Sequence, residues 1–238
     1  MRLGLVSAKG SPGATTVALA AAAVTGGIGL EADPAGGDVE CWAGPRGELG
    51  LIRLAGALRH SSAPDGLLAE QALEVWPGVR AVLAPAGGDQ AESTLVAIGQ
   101  RLVPVLRAET GWVVVDGGRW ARSQPTAGRL AGCDVIAVVL SATLTAAAHA
   151  RRLVAALRET FDVPVVAVLV GDRGYPPAEI ASVLDVVVVG VVPWDRRGVE
   201  SLAGSGASRL WTRSALARGV RTIADQLTRL DTEAVGRG

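Results

Sequence analysis

Short apolar runs recur along the chain, and most of them end in glycine, proline or an acidic residue. The runs near 2–7, 27–31, 79–84, 112–116, 134–140, 163–170 and 186–192 predict strands. Segments between them, such as 91–106 and 212–230, carry apolar residues at helical spacing. Strands that alternate with helices are typical of an α/β fold with a doubly wound, mainly parallel sheet. We therefore expect a Rossmann-like three-layer sandwich.

The segment between the second and third predicted strands is longer than a simple connection. Its spacing predicts a helix over about 49–58 and a second over 65–75, which Trp76-Pro77-Gly78 would end. Further along, Thr143 and Thr145 are predicted to cap a helix that runs to about Glu159. The insert between the second and third strands is a candidate surface for a protein partner that the sequence does not identify.

Composition narrows the class of protein. The 238 residues are 49% hydrophobic but only 3% aromatic, which indicates a core of Ala, Val and Leu within one domain over 1–238. A formal net charge of zero argues against a strongly basic nucleic-acid binder. No apolar run reaches the ~20 residues of a membrane span and no signal peptide is evident, so we expect a cytoplasmic protein. Cys41 and Cys133 support neither a zinc site nor a disulfide framework.

The candidate chemistry begins directly after the first strand. An apolar run, a turn rich in glycine and an alanine-rich helix form the layout in which backbone amides hold a phosphate. Gly13 and Thr15 match the usual phosphate-binding loop, but Ala14 stands where that loop has its lysine. Lys9 is the one lysine of the chain and lies in this loop. An ordinary turn between a strand and a helix is the alternative explanation.

The run Lys-Gly-x-x-Gly-x-Thr-Thr resembles the deviant Walker A loop of the MinD/ParA family of P-loop ATPases. The resemblance implies ATP and Mg²⁺ as cofactors, and a homodimer that forms on nucleotide binding as Lys9 reaches the partner's nucleotide. It gives Lys9 a catalytic role and assigns magnesium to the Thr15 hydroxyl. The implied nucleotide-binding residues of the loop are Lys9, Gly10, Ser11, Pro12, Gly13, Ala14, Thr15 and Thr16.

Two acidic segments extend the resemblance, and both follow predicted strands. Asp33 and Asp38 come after the second strand, where Glu31 replaces the first aspartate of the family's motif. By resemblance, Asp33 lies near the magnesium ion and Asp38 orients the attacking water. By the same resemblance, Asp116, which ends a β-branched strand, would be the magnesium-associated carboxylate, while Gly117 and Gly118 would let the backbone approach the γ-phosphate. The alternatives are a helix cap with a solvated loop for the first segment and a strand followed by a tight turn for the second.

The last two strands suggest where the base would lie. In the family, the end of one strand contacts adenine, and Asp172 occupies that place here; Pro193 and Asp195 match the turn that lies near the base. Trp194, in the same turn, would either form part of the wall around the base or fill the core as an ordinary hydrophobic side chain.

The resemblance implies an ATP-dependent dimeric switch in intracellular positioning, partitioning, or pilus or secretion assembly, nearest the TadZ/CpaE branch. Because Ala14 removes a charge from the phosphate site, we expect slow hydrolysis or none. Two alternatives stay open. One is a nucleotide-free scaffold for protein contacts; the other is ParA-like DNA binding through Arg213, Arg218, Arg221 and Arg229. The tail lacks the amphipathic membrane-targeting helix of MinD.

Overall fold

The computed structural model describes residues 1–9, 13–44, 50–60, 65–206 and 208–235. Three of the proposed nucleotide-binding residues, Gly10, Ser11 and Pro12, lie outside these ranges.

Within these ranges, eight strands form one sheet in the order β3-β4-β2-β5-β1-β6-β7-β8. Neighbouring strands are parallel except for β3 and β4, which are antiparallel. The strands are β1 (Arg2–Ser7), β2 (Ile28–Glu31), β3 (Leu73–Trp76), β4 (Val79–Val82), β5 (Val113–Arg119), β6 (Val135–Ser141), β7 (Val165–Val170) and β8 (Val188–Val192).

Helices cover both faces of the sheet. The α-helices are α1 (Ala14–Thr25), α2 (Val39–Ala43), α3 (Leu51–His60), α4 (Leu67–Gln71), α5 (Gly88–Ile98), α6 (Leu102–Ala108), α7 (Leu144–Thr160), α8 (Pro177–Leu184), α9 (Arg196–Ser205), α10 (Arg209–Thr212) and α11 (Ala215–Val235). Two 3₁₀ turns lie at Gly99–Arg101 and Ala127–Leu130. No helix in the described ranges is both long enough and apolar enough to cross a bilayer.

Two apolar cores confirm the three-layer architecture. One core packs α3 to α8 against one face of the sheet, and the other packs α1, α10 and α11 against the opposite face. Helix α1 consists largely of alanine and is buried from Val17 to Ala22. Its small side chains let α1 lie close to the sheet, with α11 packed against it on the same face.

The prediction of a helix over 65–75 is wrong for its second half. Helix α4 ends at Gln71, and Leu73–Trp76 forms the edge strand β3. Val75 and Trp76 are buried against the second core, and Pro77-Gly78 forms the tight turn into β4. Gly78 has φ 72°, which suits the last central position of a proline-glycine turn. Tertiary pairing with β4 therefore outweighs the local helical spacing.

Other boundaries also differ from prediction. The expected helix over 91–106 is two helices, α5 and α6. The first ends before Gly99, where φ is 40° and the backbone leaves the α-helical conformation. Thr143 caps α7 by accepting a hydrogen bond from the Ala146 amide, whereas Thr145 lies inside the helix and is not its cap. The last helix begins at Ala215 and extends to Val235 rather than covering 212–230.

Asp195 begins a helix, α9, that the sequence pattern did not predict. Its Oδ1 accepts from the Gly198 amide at 2.8 Å, and its Oδ2 accepts from the Leu216 amide at 3.0 Å. One carboxylate thus caps the N-termini of both α9 and α11. Burial alone would raise the pKa of Asp195, but the amides of Leu216, Gly198 and Ala215 together with Arg218 lower it.

We predict that Asp195→Asn lowers the free energy of unfolding at neutral pH by about 1–2 kcal/mol, since an amide keeps only one of the two acceptors. The lowered pKa means that this stabilisation is present above the unfolded-state pKa and is lost as the pH falls through the folded-state pKa. Urea unfolding at several pH values measures the difference.

Asp162→Asn is the matched control, because Asp162 is exposed. Equal losses of stability in the two variants, or a difference that persists at acid pH, would contradict the double-cap interpretation.

Candidate functional site

The N-terminus of α1 lies after β1, where the sequence predicts a phosphate site. Gly13 occupies the N-cap position with φ 86°, a left-handed conformation that favours glycine, and no side-chain hydrogen bond caps the helix there. Among the described residues, therefore, the first amides of α1 are left for another acceptor. A helix N-terminus of this kind is suited to a phosphate.

The carboxyl ends of β1, β2 and β5 bring the predicted acids to this helix. Leu5 of β1 and Glu31 of β2 are both paired with Asp116 of β5, so the three strands end side by side. Asp116 is buried and its Oδ1 accepts from the Gly118 amide at 3.1 Å, while the Thr15 hydroxyl also donates to its carboxylate. Thr15 and Asp116, two of the three residues predicted at the magnesium site, are therefore within hydrogen-bonding distance of each other.

Burial raises the pKa of Asp116 to about 6. This value already includes the hydrogen bonds from Thr15 and from the Gly118 amide, which lower the pKa, and the charges of Asp33 and Asp38, which raise it. The carboxylates near α1 therefore repel each other, and a cation bound among them would be stabilised.

Asp33 lies directly against the glycine turn at the end of β5. Its Oδ1 accepts from the Ala35 amide at 2.9 Å, and the Arg119 backbone amide also donates to this carboxylate. Gly118 has φ 58°, and a Cβ added there would overlap the Asp33 carboxylate. Burial raises the pKa of Asp33, while the Ala35 amide and the charge of Arg129 oppose that rise. The close approach of Asp33 thus requires glycine at 118.

Glu31 has a structural role that the sequence did not reveal. Its Oε1 accepts from the amides of Asp38 and Val39, each at 3.0 Å, and its Oε2 accepts from the Ala84 amide at 3.1 Å. Burial raises its pKa to about 7, although these three amides act in the opposite direction. Glu31 therefore fixes the start of α2, and with it Asp38, against the end of β4.

Arg129 was also missed, although it is the buried cation of this region. Its side chain extends from the 3₁₀ turn at Ala127–Leu130 to the backbone carbonyls of Gly117 and Arg119. Burial lowers its pKa to about 10, and the charges of Asp33 and Asp116 oppose that shift. An arginine within a short apolar stretch was the available signal for a buried, functional cation.

A cavity of about 460 Å³ lies beside the N-terminus of α1. Apolar side chains from β7, β8 and α9 form much of its wall, and the exposed Trp42 and Trp194 lie at its edge. Its lining includes six of the residues proposed from the sequence, namely Gly13, Thr15, Thr16, Asp38, Pro193 and Asp195.

Two proposed residues lie elsewhere. Asp172 is exposed in the turn after β7 and does not line this cavity. Lys9 is exposed and lines a separate cavity of about 220 Å³ together with Ser141, Thr143 and His149. Its proposed role across a dimer stays a prediction. The Asp195 carboxylate already accepts from two amides, so it supports the cavity wall by holding α9 and α11.

The donor set fits a magnesium ion held together with a nucleotide. Magnesium in such sites binds one or two carboxylates, and phosphates and water complete its shell. The described residues contain no group of three or more His, Cys, Asp or Glu side chains that would hold a metal ion by themselves. The contact between Thr15 and Asp116 beside the open end of α1 supplies the hydroxyl and carboxylate that such a shared site uses.

We predict that Glu31→Gln destabilises the protein in a pH-dependent way. The raised pKa means that the contribution of Glu31 to stability is full below the unfolded-state pKa and falls as the pH rises through about 7. Glutamine does not titrate, and its amino group cannot accept from the Ala84 amide. The stability difference between native and variant should therefore shrink, by on the order of 3 kcal/mol, from about pH 4 to about pH 8.

Urea unfolding across this pH range checks the prediction, with the exposed Glu92→Gln as control. A difference that grows with pH, or one that Glu92→Gln reproduces, would contradict it.

No protein-family model matches the chain, and no curated protein sequence matches it. Solved structures do match. A ParA family ATPase from Chlorobium tepidum TLS has 19% identity and a TM-score of 0.73, with 95% of this chain and 98% of that chain covered. The MinD cell division ATPase of Pyrococcus furiosus has 17% identity and a TM-score of 0.74, with 96% and 98% covered.

The septum site-determining protein MinD from Pyrococcus horikoshii OT3, complexed with Mg-ADP, has 17% identity and a TM-score of 0.73, with 97% of this chain and 96% of that chain covered. Since the match spans nearly the whole of each chain, it concerns the complete sheet and both helical layers. The chain has the fold of the ParA and MinD ATPases.

Proposed function

We propose that this protein binds ATP with Mg²⁺ at the N-terminus of α1 and acts as a nucleotide-dependent dimeric switch of the ParA/MinD type. The observation that carries the proposal is the contact of the Thr15 hydroxyl with the buried Asp116 carboxylate. This contact lies beside the N-terminus of α1, which no side chain in the described ranges caps. Similarity to a MinD complexed with Mg-ADP and to a Cyanothece McdA–ATP complex supports it.

Each group of residues at the site would have a separate role in binding the nucleotide and the metal ion. The first amides of α1 would bind the phosphates, while Thr15 and Asp116 would hold the metal ion. Magnesium, when bound, neutralises the charge of the phosphates. Asp38 lines the same cavity and is held in place through Glu31, so it is the candidate for orienting an attacking water.

The base would lie in the apolar part of the cavity. Its walls there come from Val170, Val192, Pro193 and Leu216, with Trp194 at the edge. Such walls favour stacking and van der Waals contact over hydrogen bonding with a base. Both oxygens of the Asp195 carboxylate already accept hydrogen bonds from the N-termini of α9 and α11. Asp195 would therefore hold this wall in place rather than bind the base directly.

Ala14 would make hydrolysis slow. This first residue of α1 replaces the lysine that would place a positive charge on the terminal phosphates. Loss of one charged stabilising contact commonly costs a few kcal/mol in the transition state, or roughly a hundredfold in rate. A switch with slow turnover would stay in its nucleotide-bound state for longer and would keep its protein partner bound for longer.

We predict that the native protein binds Mg–ATP and dimerises on binding, as measured by isothermal titration calorimetry with light scattering on the same samples. Thr15→Val should weaken binding about 10- to 100-fold, because it removes a hydroxyl from the charged site. Thr25→Val is the matched control, since the Thr25 hydroxyl donates to the Ala21 carbonyl at the far end of α1.

Absence of heat and of any change in mass would refute nucleotide binding and favour the nucleotide-free scaffold. Binding of random duplex DNA in place of nucleotide would instead favour a role for the exposed Arg218 and Arg221 of α11.

A second prediction concerns turnover. Ala14→Lys should raise the rate of ATP hydrolysis by up to about 100-fold, because it restores a cation near the terminal phosphates. Ala14→Met is the control, since it adds similar length without charge. Phosphate release under single-turnover conditions gives the rate. An equal rate in the native protein and the lysine variant, or equal gains in both variants, would be the contrary result.

A further inference from the structure

The peptide between Gly117 and Gly118 lies at the point where β5 leaves the regular sheet. The pairing of β1 with β5 shifts register between Leu5 and Ser7, so the ladder is irregular beside this peptide. Gly118 adopts φ 58°, and glycine on both sides makes the peptide plane easy to turn over. Sheet pairing alone therefore leaves the orientation of this peptide weakly determined.

Hydrogen bonds from Arg129 fix the orientation of this peptide. Its Nε and one terminal nitrogen both donate to the Gly117 carbonyl, at 3.1 and 2.6 Å, and that terminal nitrogen also donates to the Arg119 carbonyl at 2.9 Å. The same guanidinium thus holds the backbone on both sides of Gly118. Since the C=O and N–H of a trans peptide point in opposite directions, holding the Gly117 oxygen turns the Gly118 N–H away from Arg129.

The Gly118 N–H points instead toward the proposed nucleotide site. It donates to Asp116 Oδ1 at 3.1 Å, and that carboxylate in turn contacts the Thr15 hydroxyl. A turned-over peptide would present the Gly117 carbonyl to this side. An oxygen there would repel a phosphate, whereas an N–H attracts it.

Arg129 is itself rigidly held. Its other terminal nitrogen donates to the Thr126 carbonyl at 2.9 Å, to the Thr126 hydroxyl at 3.2 Å and to Gln124 Oε1 at 3.5 Å. Gln124 Oε1 also accepts from the Ala121 amide. The guanidinium is buried, and the next residue, Leu130, lies in the core. All of its nitrogens have partners, so little freedom remains to the side chain.

We infer that Arg129 is a positioning residue: it fixes the Gly117–Gly118 peptide so that its N–H side faces the terminal phosphate of the bound nucleotide. This inference rests on the proposed function. Because Gly118 would sense the terminal phosphate, Arg129 should contribute to binding of ATP more than to binding of ADP. A role in stability alone would affect the two nucleotides equally.

The test compares Arg129→Lys with the native protein by calorimetric titration of Mg–ATP and of Mg–ADP. Lysine keeps the positive charge but cannot donate to both carbonyls in a fixed geometry. We expect the Kd for ATP to rise by about tenfold or more and the Kd for ADP to change by less than about twofold. Arg129→Gln is a second variant, which keeps donors without charge and should show the same selective loss.

Arg2→Lys is the matched control. Arg2 also donates to two backbone carbonyls, those of Leu106 and Arg107, but it lies at the opposite end of β1 from the site. Its replacement should leave the ratio of the two affinities unchanged. Amide hydrogen exchange without nucleotide gives an independent measurement, and it should accelerate at 117–119 in Arg129→Lys but not in Arg2→Lys.

The outcomes distinguish a failure of the proposed nucleotide binding from a failure of the proposed role of Arg129. Binding of neither nucleotide by the native protein would overturn the proposed function and this inference with it. Native binding combined with equal changes in both Kd values, or with no acceleration of exchange at 117–119, would overturn the inference and leave the proposed function standing.

Discussion

Buried charge at the ends of three parallel strands is the constraint on which the site depends. Glu31 and Asp116 are buried there, Asp33 is close by, and Arg129 faces the two aspartates. Ions that lose water are costly unless they are paired or hydrogen-bonded. Here backbone amides and the Thr15 hydroxyl donate hydrogen bonds to the carboxylates, and the Arg129 guanidinium offsets part of their charge. The turns after β2 and β5 are therefore held by residues of the candidate site and by their neighbours.

This arrangement links segments that are far apart in sequence. Glu31 ties the start of α2 to the end of β4, and Arg129 ties the 3₁₀ turn after β5 to the glycine turn that carries Gly118. Asp33 from β2 lies against that same glycine. Glu31 and Arg129 make most of these hydrogen bonds to the backbone, and Asp33 accepts from backbone amides. The loops can therefore keep a defined shape although several of their residues are glycine.

The sequence predicted the sheet well because parallel strands buried on both faces are continuous apolar runs. All seven predicted strands are present, with shifts of a few residues at their ends. The eighth, β3, was missed because Leu73–Trp76 follows a helical turn and gains its strand conformation only by pairing with β4. Motif spacing placed Gly13 and Thr15 after β1 and Asp116 within β5, and these two strands are neighbours in the middle of the sheet.

The sequence could not assign the side chains whose function depends on distant backbone. Glu31 accepts hydrogen bonds from the amides of residues 38, 39 and 84. Arg129 donates to carbonyls 10 and 12 residues earlier, and Asp195 accepts from an amide 21 residues later. No local pattern encodes such contacts, because they exist only after the chain has folded. Asp172 was proposed from motif position alone, and it does not line the larger cavity. The proposed contact of Lys9 with a partner's nucleotide stays a prediction.

The packing of α11 has a consequence for the order of events during synthesis. The proposed phosphate-binding loop follows the first strand and leaves the ribosome early, yet α11 packs against α1 and contributes Leu216 to the cavity wall. Domains fold in large part as units once their chain is available. A nascent chain that ends before α11 would have the loop but an incomplete cavity. Under the proposed function, nucleotide would therefore bind only to chains in which α11 has been synthesised and packed.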